Sequence, residues 1–74
     1  MHEVRRIAID VAKREGWDDQ ITDQVLADYV AFLKSGGKLR PPTPESVHRL
    51  QMLRSAFAGG DLMKEMTLAR RLVQ

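Results

Sequence analysis

The chain has seventy-four residues, no cysteine and a net charge of +2. A chain this short buries only about 60% of the surface its unfolded form exposes. Without cysteine it has neither disulfides nor the usual structural zinc site to add stability. Well-packed helices or a partner subunit must supply what is missing.

The charge is unevenly divided. Residues 1–37 carry five Lys/Arg against seven Asp/Glu, a balance of −2, and residues 38–74 carry seven against three, a balance of +4. Such asymmetry points to an acidic partner, or to complementary halves that pair in an oligomer. Met1-His2-Glu3-Val4-Arg5-Arg6 has no apolar run after its charges and does not read as a secretory signal. The longest apolar run, Tyr29-Val30-Ala31-Phe32-Leu33, falls far short of the ~20 residues that span a bilayer. A soluble, cytoplasmic protein with no membrane partner is expected.

The first helix is predicted over about 3–15. Val4, Ile7, Ala8, Val11 and Ala12 fall at i, i+3, i+4, i+7 and i+8 and share one face. Ile9 is apolar but lies off that stripe. Gly16 ends the helix, and Trp17 folds back over the joint. Asp18 or Asp19 then caps a second helix over about 19–34, because a short carboxylate accepts the free N–H groups of a first turn. Its stripe is Ile21, Val25, Tyr29 and Phe32, widened by Leu26, Val30 and Leu33. As the most apolar helix it forms the centre of the core. Asp18, Asp19, Asp23 and Asp28 make an acidic outer face.

Ser35-Gly36-Gly37 stops that helix. Lys38-Leu39-Arg40-Pro41-Pro42 is held extended, since each proline restricts the residue before it. Thr43 caps a third helix over about 44–58, with Pro44 at its first position. Val47, Leu50, Leu53 and Phe57 form its stripe. Gly59-Gly60 ends it, and Asp61 caps a fourth helix over about 62–73. There Leu62, Met66, Ala69 and Val73 share a face that Met63 and Leu72 extend. The fold class expected is all-α: a small four-helix domain of two helical hairpins joined by a Pro-rich connector. That connector either holds the hairpins together in one chain or lets them exchange between two.

No constellation for catalysis stands out. Ser46 lies two positions from His48, and side chains so spaced on a helix do not face each other. Glu45 and His48 have the i, i+3 spacing of half a di-iron carboxylate site, but no inward glutamates from other helices complete it. Asp18, Asp19 and Asp23 lack the spacing of a calcium loop. Ser35-Gly36-Gly37-Lys38 follows a helix and precedes prolines, the wrong setting for a phosphate loop. No enzyme activity, metal or cofactor is expected.

Val11 to Leu26 resembles the helix-turn-helix pattern of bacterial repressors. Ala12 and Gly16 have its four-residue separation, an apolar residue follows the glycine, and Val25 fits the late core position. Glu15 and Thr22 depart from it, and Asp18, Asp19 and Asp23 would face phosphates, whose attraction dominates DNA affinity. A second frame, Ala56 to Arg71, repeats the four-residue spacing at Ala56 and Gly60, with the right charge for DNA.

The function expected is that of a small non-catalytic regulatory or adapter protein acting through helix-mediated protein–protein binding. Its counterpart is a protein partner or a second copy in a homodimer, with Trp17, Leu39, Met63 and Met66 as the binding residues. The alternative is a helix-turn-helix-like DNA-binding regulator. It uses the basic C-terminal half and places Lys38, Arg40, Arg49, Arg54, Lys64, Arg70 and Arg71 against phosphates.

Overall fold

A computed structural model describes the backbone of residues 2–73, and their side chains apart from those of His2, Glu3, Leu68, Arg71, Leu72 and Val73. Four helices follow in order, α1 (His2–Glu15), α2 (Asp19–Lys34), α3 (Pro44–Ala58) and α4 (Leu62–Val73), and no strand occurs among the described residues. None of these helices is long and apolar enough to cross a membrane.

The helix ends follow the local chemistry. The Asp18 carboxylate accepts from the Ile21 N–H at 2.8 Å, and Thr43 Oγ1 accepts from the Ser46 N–H at 3.1 Å. Both caps keep extended backbone angles, which turns the side-chain oxygen back onto the first turn. Asp61 does the same for α4, accepting from the Met63 N–H at 3.0 Å. At the other end of α1, Gly16 adopts φ +75°, and the Trp17 N–H closes onto the Ala12 carbonyl at 2.9 Å. A side chain rarely takes that left-handed angle, so glycine permits the tight exit that brings Trp17 back onto the core.

The core joins all four helices. Val4 and Ala8 of α1, Val25, Tyr29, Phe32 and Leu33 of α2, Leu50 and Leu53 of α3, and Ala69 of α4 form one buried cluster. Ile7, Trp17, Ile21, Leu26, Phe57 and Met66 pack against it, partly buried. Tyr29 lies at the centre, stacked on Phe32 at 6.1 Å and edge-on to Phe57 at 5.9 Å.

Both α2 and α3 pack against every other helix. The outer helices α1 and α4 share no contact among the described residues. α1 packs on α3, and α4 packs on α2, so the two hairpins pack together within one chain. Residues 35–43, between α2 and α3, hold no helix or strand.

Candidate functional site

Two features stand apart from ordinary packing: a charged cluster inside the molecule and an apolar patch outside it. The charged cluster depends on Arg54 and Glu65, each on the inner stripe of its helix. Arg54 follows Leu50 by four residues and precedes Phe57 by three. Glu65 stands three residues after Leu62 and four before Ala69. Helical periodicity turns both inward, and the side chain of Glu65 is fully buried.

The two groups meet in a fork. Arg54 Nη2 donates to Glu65 Oε2 at 3.0 Å, and Arg54 Nε donates to Oε1 at 3.0 Å and to Oε2 at 3.2 Å. The Tyr29 hydroxyl donates to Oε1 at 2.9 Å, and Arg54 Nη1 donates to Gln51 Oε1 at 3.0 Å. The guanidinium carbon lies 4.5 Å from the centre of the Phe32 ring, within reach of its negative face. No buried side-chain nitrogen or oxygen among the described residues lacks a hydrogen-bond partner. An isolated buried charge would be very costly, and this arrangement answers that cost group by group.

The electrostatics follow from the geometry. Burial pushes the Tyr29 phenol well above its ordinary range, and its hydrogen bond to the Glu65 carboxylate and that carboxylate's charge add to the rise. The positive Arg54 opposes it. Hydrogen bonding to Glu65 raises Arg54 against the opposing effect of burial, so its charge is fixed. The cluster links α2, α3 and α4 and uses its donors and acceptors on itself.

This corrects the expectation for Arg54. Placed among the phosphate-facing cations from sequence, it is 9% exposed and bonded to Glu65, so it is not a surface cation. Arg49 is partly buried and lies 3.7 Å from Glu45. Lys38, Arg40, Lys64 and Arg70 are exposed, and the Arg71 side chain lies outside the described residues. Glu45, the acidic member of the Glu45/His48 pair, therefore faces a cation.

The four expected partner-binding residues divide equally. Trp17 and Met66 are partly buried against the core. Leu39 is 55% exposed and Met63 is 82% exposed. Leu62, expected on the inner stripe, is 44% exposed, because it sits at the edge of that stripe in the first turn of α4.

The connector folds back until it approaches α4 at Leu62. Ser35 Oγ donates to the Phe32 carbonyl at 2.9 Å and accepts from the N–H groups of Lys38 at 3.1 Å and Leu39 at 2.8 Å. That small network folds residues 36–39 back over the end of α2. Gly37, at φ +86°, stands so close to α4 that a Cβ there would lie 2.9 Å from Leu62 Cδ1 and 3.5 Å from Phe32 Cζ. The left-handed angle is what favours glycine here, since the half-exposed tip of Leu62 could give way to a side chain. Arg40 returns to place its guanidinium carbon 5.6 Å from the Phe32 ring centre. Leu39, Leu62 and Met63 thus stand exposed on two segments that approach each other at Gly37, with the exposed Lys38, Arg40 and Lys64 next to them along the chain. The nearby Asp61 carboxylate is turned into the α4 cap.

A fourth large apolar side chain reaches the surface on the first hairpin. Ile9 of α1 is 42% exposed. With Ala8 and Leu26 it lines an open groove of about 280 Å³ between α1 and α2, bordered by Asp19 and Asp23, with Arg5 the one cation in the lining. Among the described residues no group of three His, Cys, Asp or Glu side chains could hold a metal ion. Compared with protein-family models, curated proteins and solved structures, the chain matches none.

Proposed function

We propose that the chain is a small, non-catalytic regulatory or adapter protein, acting in the cytoplasm through helix-mediated protein–protein binding. Its docking surface is the patch of Leu39, Leu62 and Met63. The observation that carries this reading is the joint exposure of three large apolar side chains on two segments brought together at Gly37. Single exposed apolar residues are common on any protein; a group of them edged by charge is the anatomy of a contact surface. Methionine suits this role because its flexible thioether fits irregular partners.

The test is the double substitution Leu39→Glu with Met63→Glu. Both side chains are exposed, so helix content and unfolding midpoint stay near those of the parent. Binding to the partner captured by the parent chain is lost. Equal capture by parent and variant would rule the patch out. In the DNA-binding alternative, the exposed cations act and the apolar side chains do not. A salt-sensitive gel shift that survives the double substitution would favour that alternative.

A further inference from the structure

Ile9, Leu39, Leu62 and Met63 are the large apolar side chains exposed among the described residues, and they fall into two places of opposite charge. Leu39, Leu62 and Met63 lie beside Lys38, Arg40 and Lys64. Ile9 lies in the α1–α2 groove beside Asp19 and Asp23. Each place has what the other lacks: apolar contact with an edge of the complementary sign. They do not meet within one chain: none of Leu39, Leu62 and Met63 lines the groove, and α1 and α4 share no contact among the described residues.

We infer that the occupant of the basic patch is a second copy of this chain, bound through its acidic α1–α2 groove. This rests on the reading of the patch as a protein-docking surface and names its partner. In the contact, Leu39, Leu62 and Met63 of one copy cover the exposed Ile9 and the partly exposed Leu26 of the next. Lys38 and Lys64 face Asp19 and Asp23. Such an interface is head-to-tail. Each bound copy still presents one free basic patch and one free acidic groove, so association continues to rings or short filaments. Both places are small, which puts the contact in the weak, transient class of interface. Its ionic edge makes it sensitive to salt.

Charge reversal tests it without touching the core. One variant carries Asp19→Lys and Asp23→Lys, the other Lys38→Glu and Lys64→Glu. All four positions are exposed, and Arg40 is left in place over Phe32. Circular dichroism confirms that each variant keeps its helix content. Sedimentation equilibrium at low salt and high protein concentration then reads the association.

The parent chain is expected to associate with rising concentration and less so with added salt. Each variant alone presents two patches of like charge and associates at least roughly tenfold more weakly. An equimolar mixture of the two restores association, because each then meets its opposite. A parent chain that stays monomeric at every concentration overturns the inference, as does association unchanged by either reversal or a mixture that restores nothing. If the parent is monomeric yet Leu39→Glu with Met63→Glu still abolishes capture of another protein, the docking surface stands and its occupant is that protein.

Discussion

The two outer helices are held in opposite ways. α1 attaches through Val4, Ala8, Val11 and Ala12, all buried and all apolar. Among its described side chains, α4 attaches through Ala69, the partly buried Met66, and a fully buried carboxylate. Apolar contacts have no direction, and their strength follows the area removed from water. The Glu65 contacts are directional: its two oxygens take four hydrogen bonds from Tyr29 and Arg54. A helix held by greasy contacts can shift and still bury them. α4 cannot shift by a turn without leaving Glu65 and Arg54 unpaired. The buried pair therefore fixes where α4 sits, and with it where Leu62 and Met63 emerge beside Gly37.

The strongest way to break this comparison is Glu65→Ala. Arg54 is left charged and unpaired inside the molecule, at a cost of about 3–5 kcal/mol. That is comparable with the whole stability of many small domains, so urea unfolding should show a chain mostly unfolded or lacking a docked α4. The paired control is Arg54→Met with Glu65→Leu and Tyr29→Phe. It removes both charges for apolar side chains, leaves no buried hydroxyl without its acceptor, and should restore stability to near or above the parent. A full-cost Glu65→Ala whose triple control fails equally would mean that packing, not charge, holds α4.

On the α1 side the matching change is Val4→Ala. It removes two methyl groups from a fully buried site and should lower stability by about 2 kcal/mol. Hydrogen exchange sharpens the contrast: loosening in this variant should be centred on α1 and leave the amides of α4 protected.

The smallest effect concerns Tyr29, the only tyrosine in the chain. Tyr29→Phe removes one hydrogen bond to a carboxylate that keeps its bonds from Arg54, and should cost about 1.5 kcal/mol. The same residue makes stability depend on alkaline pH. Its phenol is raised in the folded protein above the ordinary value of 10.0. Below that value the phenol is neutral both folded and unfolded, and its contribution is present in full. As the pH rises further, the unfolded chain ionises while the folded one resists, so stability falls. The tyrosinate absorbance should appear together with the loss of helix. Tyrosinate formed in a chain that is still fully helical would contradict the buried position of Tyr29.

Much of the cluster could have been read from the sequence by one further step. Arg54 and Glu65 occupy stripe positions on the two helices of one hairpin, and they carry opposite charges. Reading only apolar residues into a stripe leaves Arg54 among the surface cations and Glu65 without a role. A cation and a carboxylate on facing inner stripes are the signal of a buried pair. Leu62 shows the converse: it has stripe spacing, but its place at the end of α4 leaves it half in solvent.

The sequence by itself determined the four helices, their caps at Thr43, Asp61 and one of Asp18 and Asp19, and the central place of α2. These depend on spacing and on groups within a few residues of one another, and both are written in the order of the chain. The tertiary structure alone decided that Arg54 turns inward to Glu65, that Gly37 lets the connector touch Leu62, and that α1 and α4 each pack on both α2 and α3. Those outcomes depend on which helix faces meet across residues far apart in sequence. The same meeting fixes which apolar side chains are covered and which remain for a partner.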